Sequence, residues 1–170
     1  AIISLTECTD FRFRIRRQDV EYYALHKRPG KDFGASLRLW RLLRRLRPQI
    51  VHTRNLSALD CLLPAALAGV RCRIHGEHGR DIIDIDGSNW KYNMLRRAIR
   101  PLVHRYIPLS RDLENWLQHR IGVTPEKISR IYNGVDTRLF QPASAREPLP
   151  DTNFAPPGTM VIGTVGRMQT

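Results

Sequence analysis

Short apolar runs rich in β-branched residues alternate along the chain with longer stretches in which apolar residues recur every three or four positions. The first pattern is typical of strands and the second of amphipathic helices. The predicted strands are 2–5, 20–25, 50–52, 73–75, 106–109 and 128–132, and the predicted helices are 33–47, 56–68, 90–104 and 111–121. Because strands that alternate with helices of this length form parallel sheets, the sequence predicts an α/β fold.

Capping and turn signals agree with these boundaries. Pro48 should end the first predicted helix, since a proline disfavours helical backbone in the residue before it. Ser110 stands where an N-cap belongs, and Thr124 directly precedes a proline suited to the first position of a helical turn. Asn133 and Gly134 both tolerate positive φ and therefore predict a turn.

The composition changes near residue 140. Residues 141–157 hold five prolines in a polar context, which is typical of a linker, and 160–165 then form a fresh apolar strand pattern. We therefore expect a first domain over 1–140, a linker over 141–157 and the start of a second domain over 158–170. A lone strand of the buried type needs further chain to cover it, so we expect these residues to be part of a longer protein.

Charge narrows the class of partner. The 170 residues carry a formal charge of +12, with 42% hydrophobic and 26% charged residues, which are values of a globular protein. No apolar run is long enough to span a membrane. Arginines make up 24 of the 28 basic residues. This excess of arginine favours phosphate-bearing partners, although codon usage explains it equally well.

The chain has three cysteines, and their spacing is not that of metal ligands. This favours a reduced, cytoplasmic compartment.

The densest cluster of reactive side chains is the segment RIHGEHGRD at 73–81. It follows a predicted strand, and ligands bind at the carboxyl ends of strands in open α/β sheets. Its two glycines would let the backbone approach a ligand closely. Its histidines lack the spacing of a metal motif, so we expect no metal. A polar loop whose histidines only form structural hydrogen bonds remains an alternative. The segment HTRN at 52–55 is a second, weaker candidate of the same kind.

The predicted helix 33–47 is strongly basic. Its expected apolar face comprises Phe33, Leu37, Trp40, Leu43 and Leu46, and its arginines are Arg38, Arg41, Arg44, Arg45 and Arg47. Such a helix can dock on an anionic lipid surface, where each basic residue contributes about 1 kcal/mol. A solvated face of an ordinary core helix is the alternative interpretation.

The order of these motifs resembles a known family. The segments HGEHGRD, YIPLSRDL, ISRIYNGVDTRLFQP and VIGTVGR together resemble retaining glycosyltransferases of family 4, closest to sugar transferases that accompany bacterial exosortase and exopolysaccharide systems. The resemblance implies a GT-B fold, in which two Rossmann-like domains, each a parallel sheet with helices on both faces, face each other across a cleft. The first domain would bind mainly the acceptor and the second mainly the sugar nucleotide.

The resemblance also implies roles for individual residues. His78 matches the histidine that contacts the donor sugar near its reacting carbon, so it is our candidate catalytic residue. The remaining donor-side candidates are Arg167 and Gly166 at the diphosphate and Asn133 and Asp136 in the turn near the cleft. The acceptor-side candidates are Arg54, Asn55, Glu77, Gly79 and Arg80, and the membrane-docking candidates are Arg38, Arg41, Arg44 and Arg45.

The chain departs from the family pattern at both ends. The family's first strand and glycine-rich loop would precede Ala1, and because that strand is central in the order 3-2-1-4-5-6, we expect the sheet to be split. The lysine after the Gly-Arg pair and the Glu-x7-Glu segment of the donor site are also missing. We therefore expect these 170 residues not to turn over a sugar nucleotide alone.

The expected function is hexosyl transfer from a UDP- or GDP-sugar to a lipid-linked or polysaccharide acceptor, with the anomeric configuration retained. We expect no cofactor, no nucleic-acid partner, and a location in the cytoplasm at the inner face of the cytoplasmic membrane. The alternatives are a non-catalytic module that binds nucleic acids or other anions, which would bind in a salt-dependent way, and a sensing domain with this fold and no chemistry.

Overall fold

A computed structural model describes residues 1–7, 13, 15–30, 32–80, 84–142, 160 and 162–164. The chain divides into two compact units, Ala1–Asn133 and Gly134–Thr170. The first unit contains five strands and four α-helices among its described residues, and it carries the site considered below.

The elements of the first unit follow the predicted alternation. The strands are β1 (Ile2–Ser4), β2 (Tyr22–Ala24), β3 (Ile50–Arg54), β4 (Cys72–Glu77) and β5 (Arg105–Pro108). The α-helices are α1 (Phe33–Leu46), α2 (Leu62–Leu67), α3 (Trp90–Ile99) and α4 (Arg111–Trp116). Short 3₁₀ or π turns cover Leu56–Cys61, Arg100–Leu102, Leu117–Ile121 and Pro125–Lys127, so three of the predicted helices are composites of an α-helix and a tighter or wider turn.

All strand pairs in the described chain are parallel, which confirms the predicted α/β class. Strands β1 and β2 form one sheet, and β3, β4 and β5 form another in that order. The sheet is therefore split, as expected. In the larger sheet, Thr53 is the register partner of His75 and Arg54 that of Gly76. The next pair aligns His75 with Tyr106.

Two apolar clusters hold the helices on the sheets. One gathers Leu59, Leu62, Val103, Tyr106, Trp116, Leu117, Ile121 and Val123. The other gathers Leu25, Leu39, Leu43, Ala65 and Val70, with Val51 of β3 packed against it. Because side chains alternate along a strand, Ile50, His52 and Arg54 lie on the opposite face of β3, where they are exposed.

Helix α1 begins and ends where the sequence predicts, but its core face is different. The carboxylate of Asp32 caps it by accepting a hydrogen bond from the Ala35 amide, and the helix ends at Leu46, two residues before Pro48. The buried residues are Ala35, Leu39 and Leu43. Phe33 and Leu37, predicted for the core, are 81% and 45% exposed. The prediction was wrong there because the buried stripe runs through Ala35 and Leu39 to Leu43, and the predicted face left out the first two.

The prediction of a strand over 128–132 was wrong. The strand pairing of this segment with β5 is limited to an isolated bridge between Ile128 and Tyr106. The amides of Ser129 and Ile131 donate to the carbonyls of Tyr106 and Pro108 at 2.9 and 3.1 Å, so the segment follows the edge of β5. Ile131 and Tyr132 are 54% and 60% exposed, and with little side-chain burial the pairing does not extend into a ladder.

The predicted turn at Asn133 and Gly134 was also wrong. Neither residue has a positive φ. The turn lies at 137–139, where the Asp136 carboxylate accepts hydrogen bonds from the amides of Arg138 and Leu139 at 2.9 and 3.4 Å.

The predicted linker covers 141–157, and its residues 143–157 lie outside the described residues. Of the strand predicted over 160–165, residues 160 and 162–164 are described; they form no strand, and Met160 and Ile162 are exposed.

Candidate functional site

The carboxyl ends of β3, β4 and β5 meet at one edge of the larger sheet, as parallel strands require. Arg54 is the last residue of β3, Asn55 directly follows it, and His78 directly follows β4. Ser110 follows β5 and caps α4, since its hydroxyl accepts from the Leu113 amide. The two polar segments singled out from the sequence are therefore brought together, at the edge where open α/β sheets bind ligands.

Asn55 fastens the two strand ends to each other. Its backbone has a positive φ of 58°, which is uncommon for a residue other than glycine. Its amide donates to the Gly76 carbonyl at 2.8 Å, and its side-chain oxygen accepts from the His78 amide at 2.8 Å. Since its side-chain oxygen is already used, Asn55 positions the His78 loop.

The flat side chains of Arg54 and His78 lie against each other. Arg54 Nε is 3.1 Å from His78 Nε2, and Arg54 Nη2 is 2.8 Å from His78 Nδ1. A neutral imidazole has one nitrogen that accepts a hydrogen bond, so only one of these two contacts is a hydrogen bond. Partial burial, then the Arg54 charge and His52, lower the pKa of His78 below its ordinary 6.5. This shift of the pKa favours the neutral form of the His78 ring at pH 7.

Gly76 makes room for two imidazoles on the open face of the sheet. A methyl group on Gly76 would stand 2.7 Å from His78 Nε2 and 3.0 Å from His52 Nε2. Burial, then the charges of Arg54 and His75, lower the pKa of His52 as well. We call His52, Arg54, Gly76 and His78 the strand-end cluster. His52 and Gly76 lie in the two polar segments singled out from the sequence but were assigned no role there, although a glycine inside a strand signals the close approach of another group.

The Gly76→Ala variant tests this packing. The added methyl would push the His78 ring away from Arg54, so we expect the pKa of His78 to rise towards 6.5. An NMR titration of the histidine rings measures this directly. Gly134→Ala is the matched control, because a methyl there meets nothing within 4 Å. An unchanged His78 titration in a folded Gly76→Ala variant would contradict the packing described here.

Glu77 does not lie on the acceptor side, where we had placed it. Its side chain is 1% exposed, because it lies on the opposite face of β4 from Gly76. Its Oε1 accepts from Arg96 Nε at 2.9 Å and lies 3.4 Å from His75 Nε2, and Thr53 Oγ1 is 2.8 Å from His75 Nδ1. Although burial alone would raise the pKa of Glu77, His75 and Arg96 lower it. Glu77 is therefore a buried anchor of the sheet.

Gly79 and Arg80 shape the loop after β4. Gly79 has φ of 132°, a conformation that favours glycine, while its surroundings leave space for a side chain. Arg80 forms an ion pair at 2.8 Å with Asp112 in the first turn of α4. The guanidinium of Arg80 therefore ties this loop to α4.

The donor-side candidates lie elsewhere in the sequence. Asp136 closes the turn over 137–139, which uses its carboxylate, and Asn133 is exposed. Gly166 and Arg167 lie outside the described residues. The structure thus groups Arg54, Asn55, His78, Gly79 and Arg80 around one edge.

Asp84 and Asp86 have the Asp-x-Asp spacing found in some metal-binding sites, a feature our sequence reasoning missed. Asp84 is buried and accepts from the Asn89 amide at 2.9 Å, while Asp86 accepts from the Ser88 amide at 3.2 Å. Both carboxylates shape the turn before α3. Within the described residues, no three His, Cys, Asp or Glu side chains are grouped so that they could hold a metal ion.

The chemistry of the strand-end cluster follows from its charges. A neutral imidazole can exchange hydrogen bonds with hydroxyl groups, and the guanidinium beside it can bind an anionic oxygen. The cluster therefore suits a ligand that carries both hydroxyls and negative charge, such as a sugar phosphate.

Comparison with known proteins assigns the family. A model of Glycosyltransferase Family 4 matches residues 2–139. The chain belongs to glycosyltransferase family 4. Its parallel sheets and helices are those of the Rossmann-like N-terminal domain of a GT-B glycosyltransferase, and the resemblance inferred from the motifs is confirmed at the level of the family.

One curated protein is similar over much of the chain. It is the UDP-Gal:alpha-D-GlcNAc-diphosphoundecaprenol alpha-1,3-galactosyltransferase of Escherichia coli, which is 33% identical over 117 residues, or 66% of this chain. The matched region spans 30% of the length of that relative. None of the helices in the described part of this family 4 chain is long and apolar enough to cross a membrane.

Proposed function

We propose that this chain is the acceptor-side domain of a retaining glycosyltransferase. In this proposal a hexosyl group moves from a UDP- or GDP-sugar to a lipid-linked or growing glycan acceptor, as in exopolysaccharide assembly. The strand-end cluster is the observation that carries the proposal, because it combines a neutral imidazole with a guanidinium at the ligand-binding edge of the sheet.

The proposed reaction exchanges one bond at the anomeric carbon for another. The bond from this carbon to the nucleotide diphosphate breaks, a bond to the acceptor hydroxyl oxygen forms on the same face, and the acceptor proton passes to the departing phosphate oxygen. No protein nucleophile is assigned. His78 would orient the donor sugar through its hydroxyls, and Arg167 would stabilise the charge that develops on the diphosphate.

The relative supports a lipid-linked acceptor. Its name specifies a UDP-sugar donor and an acceptor in which a sugar is joined through a diphosphate to undecaprenol. An acceptor of this class has a polyprenyl tail that stays in a membrane, so the enzyme must work at a membrane surface. A UDP-sugar is accordingly the first donor to test.

The outer face of α1 supports such a location. Phe33 and Leu37, four residues apart, are exposed beside the exposed Arg41 and Arg44. Exposed apolar side chains flanked by arginines are typical of helices that lie in a membrane interface. Arg38 is less available than we expected, since it donates to the Leu25 and His26 carbonyls and pairs with Asp32. Arg45 lies over the Tyr23 ring, at 5.5 Å from its centroid.

The Phe33→Ser/Leu37→Ser variant tests docking through α1. We expect its affinity for vesicles containing phosphatidylglycerol to fall at least about tenfold, because two inserted apolar side chains are lost. Vesicle co-sedimentation measures the change.

Leu63→Ser/Leu67→Ser is the matched control, because these two leucines are also exposed and four residues apart, on α2. Equal losses in both variants would contradict docking through α1.

The function itself is tested by nucleotide release. The complete protein is incubated with a panel of UDP- and GDP-sugars and a diphosphoprenyl-linked N-acetylglucosamine acceptor. We expect release from one donor, coupled to elongation of the acceptor. Silence across the panel, together with steeply salt-dependent binding to DNA or RNA, would replace the proposal with the anion-binding alternative.

A further inference from the structure

A second basic feature lies at the opposite edge of the larger sheet from the strand-end cluster. A cleft of about 490 Å³ opens where β3 and β4 begin. Its lining comprises Arg44, Arg47, Pro48, Gln49, Ala68, Gly69, Val70 and Arg71. Because β3 and β4 are parallel, their amino ends share this edge and their carboxyl ends share the other. The cleft is therefore separate from the proposed transferase site.

The three arginines of this cleft have no partner in the part of the chain that the structure describes. Their side chains are exposed and form no hydrogen bond or ion pair there. Arg73 and Arg100, by contrast, donate to backbone carbonyls. The lining contains no carboxylate. Three guanidinium groups around one cleft repel each other, and a bound anion would remove that repulsion.

Stabilisation of helix ends explains only part of this arrangement. Arg44 lies in the last turn of α1 and Arg47 is its C-cap. A positive charge at this end of a helix interacts favourably with the helix dipole. Arg71 belongs to no helix; it directly precedes β4. The arginines of the cleft therefore come from two separate segments of the chain, the end of α1 and the residue before β4.

We propose that this cleft binds the phosphate groups of an anionic ligand. A guanidinium offers two parallel donors that match two phosphate oxygens, and the cleft has the size of an ordinary small-ligand site. A phospholipid headgroup and a soluble diphosphate share this chemistry. The site is independent of catalysis, so it holds whether or not the proposed transfer reaction is correct.

The test compares two double variants of equal net charge in the complete protein. Arg47→Asn/Arg71→Ala removes two charges from the cleft, and asparagine is chosen because Arg47 has a left-handed backbone with φ of 47°. Arg111→Ala/Arg120→Ala removes two exposed charges elsewhere. The first probe is inorganic pyrophosphate. Its binding is measured by calorimetry, without any sugar nucleotide present. The second probe is vesicles of phosphatidylcholine with and without phosphatidic acid.

We expect the cleft variant to lose at least about tenfold in affinity for one of the two probes, while the control variant keeps the affinity of the unmodified protein. Loss of pyrophosphate binding alone identifies a soluble ligand, and loss of phosphatidic acid binding alone identifies a lipid headgroup. Equal affinities of the two variants for both probes would overturn the proposal, because any binding would then follow net charge rather than this cleft.

Discussion

Replacing His78 with alanine is expected to lower donor turnover about 100-fold while leaving the melting temperature nearly unchanged. The ring lies on the open face of the sheet. It contacts Arg54 and occupies the space that Gly76 leaves by having no side chain. The structural bond at this position is made by the His78 backbone amide to Asn55, which alanine keeps. Nucleotide release and thermal unfolding of the complete protein measure the two effects.

His119→Ala is the control for His78→Ala, since this histidine is exposed on the π turn after α4, outside the strand-end cluster. It should alter neither turnover nor melting temperature. A His78→Ala variant that lost activity and thermal stability in parallel would show that the ring supports the fold, and the donor-orienting role would be withdrawn.

The largest expected effect on stability is that of Glu77→Gln. Arg96 is 5% exposed and has its only carboxylate partner among the described residues in Glu77. Breaking a buried ion pair from one side typically costs about 3–5 kcal/mol, because the remaining charge stays buried without compensation. Denaturant unfolding measures the change in the free energy of unfolding.

The double variant Glu77→Gln/Arg96→Met is the control for this prediction. It removes both charges and keeps an apolar side chain near the Trp116 ring, over which the Arg96 guanidinium now lies at 4.8 Å. We expect it to recover part of the lost stability. A double variant less stable than the single one would mean that Arg96 contributes mainly through packing.

The same pair predicts the sign of the acid dependence. Because the folded state lowers the pKa of Glu77 from its ordinary 4.5, its contribution to stability is complete above that value and declines as pH falls through the lower, folded-state pKa. The unmodified protein should therefore lose more stability than Glu77→Gln as the pH falls below about 4.5.

Most of the fold could be predicted from local patterns in the sequence. Ser110 acts as the predicted N-cap of α4, and the polar segments after β3 and β4 do meet at one edge. What failed depended on contacts between distant residues. The buried face of α1 runs through Ala35, Leu39 and Leu43, whereas the periodicity of arginines and leucines allows more than one face.

The candidate site was recoverable only in part for a similar reason. His78 was found from its motif, but Glu77 beside it points to the opposite face, as alternation along a strand requires. Arg80 and Asn55 are the right residue types at the right edge, yet their polar atoms bind the protein itself. Such pairings join segments more than twenty residues apart, and a single sequence carries no direct signal for them.

The most direct test of the proposed donor site is a crystal structure of the complete protein with a non-reactive analogue of its sugar nucleotide. We expect a His78 ring nitrogen within hydrogen-bonding distance of a hydroxyl of the donor sugar, with Arg167 at the diphosphate. A donor bound with its sugar away from the carboxyl ends of β3 and β4 would contradict this expectation.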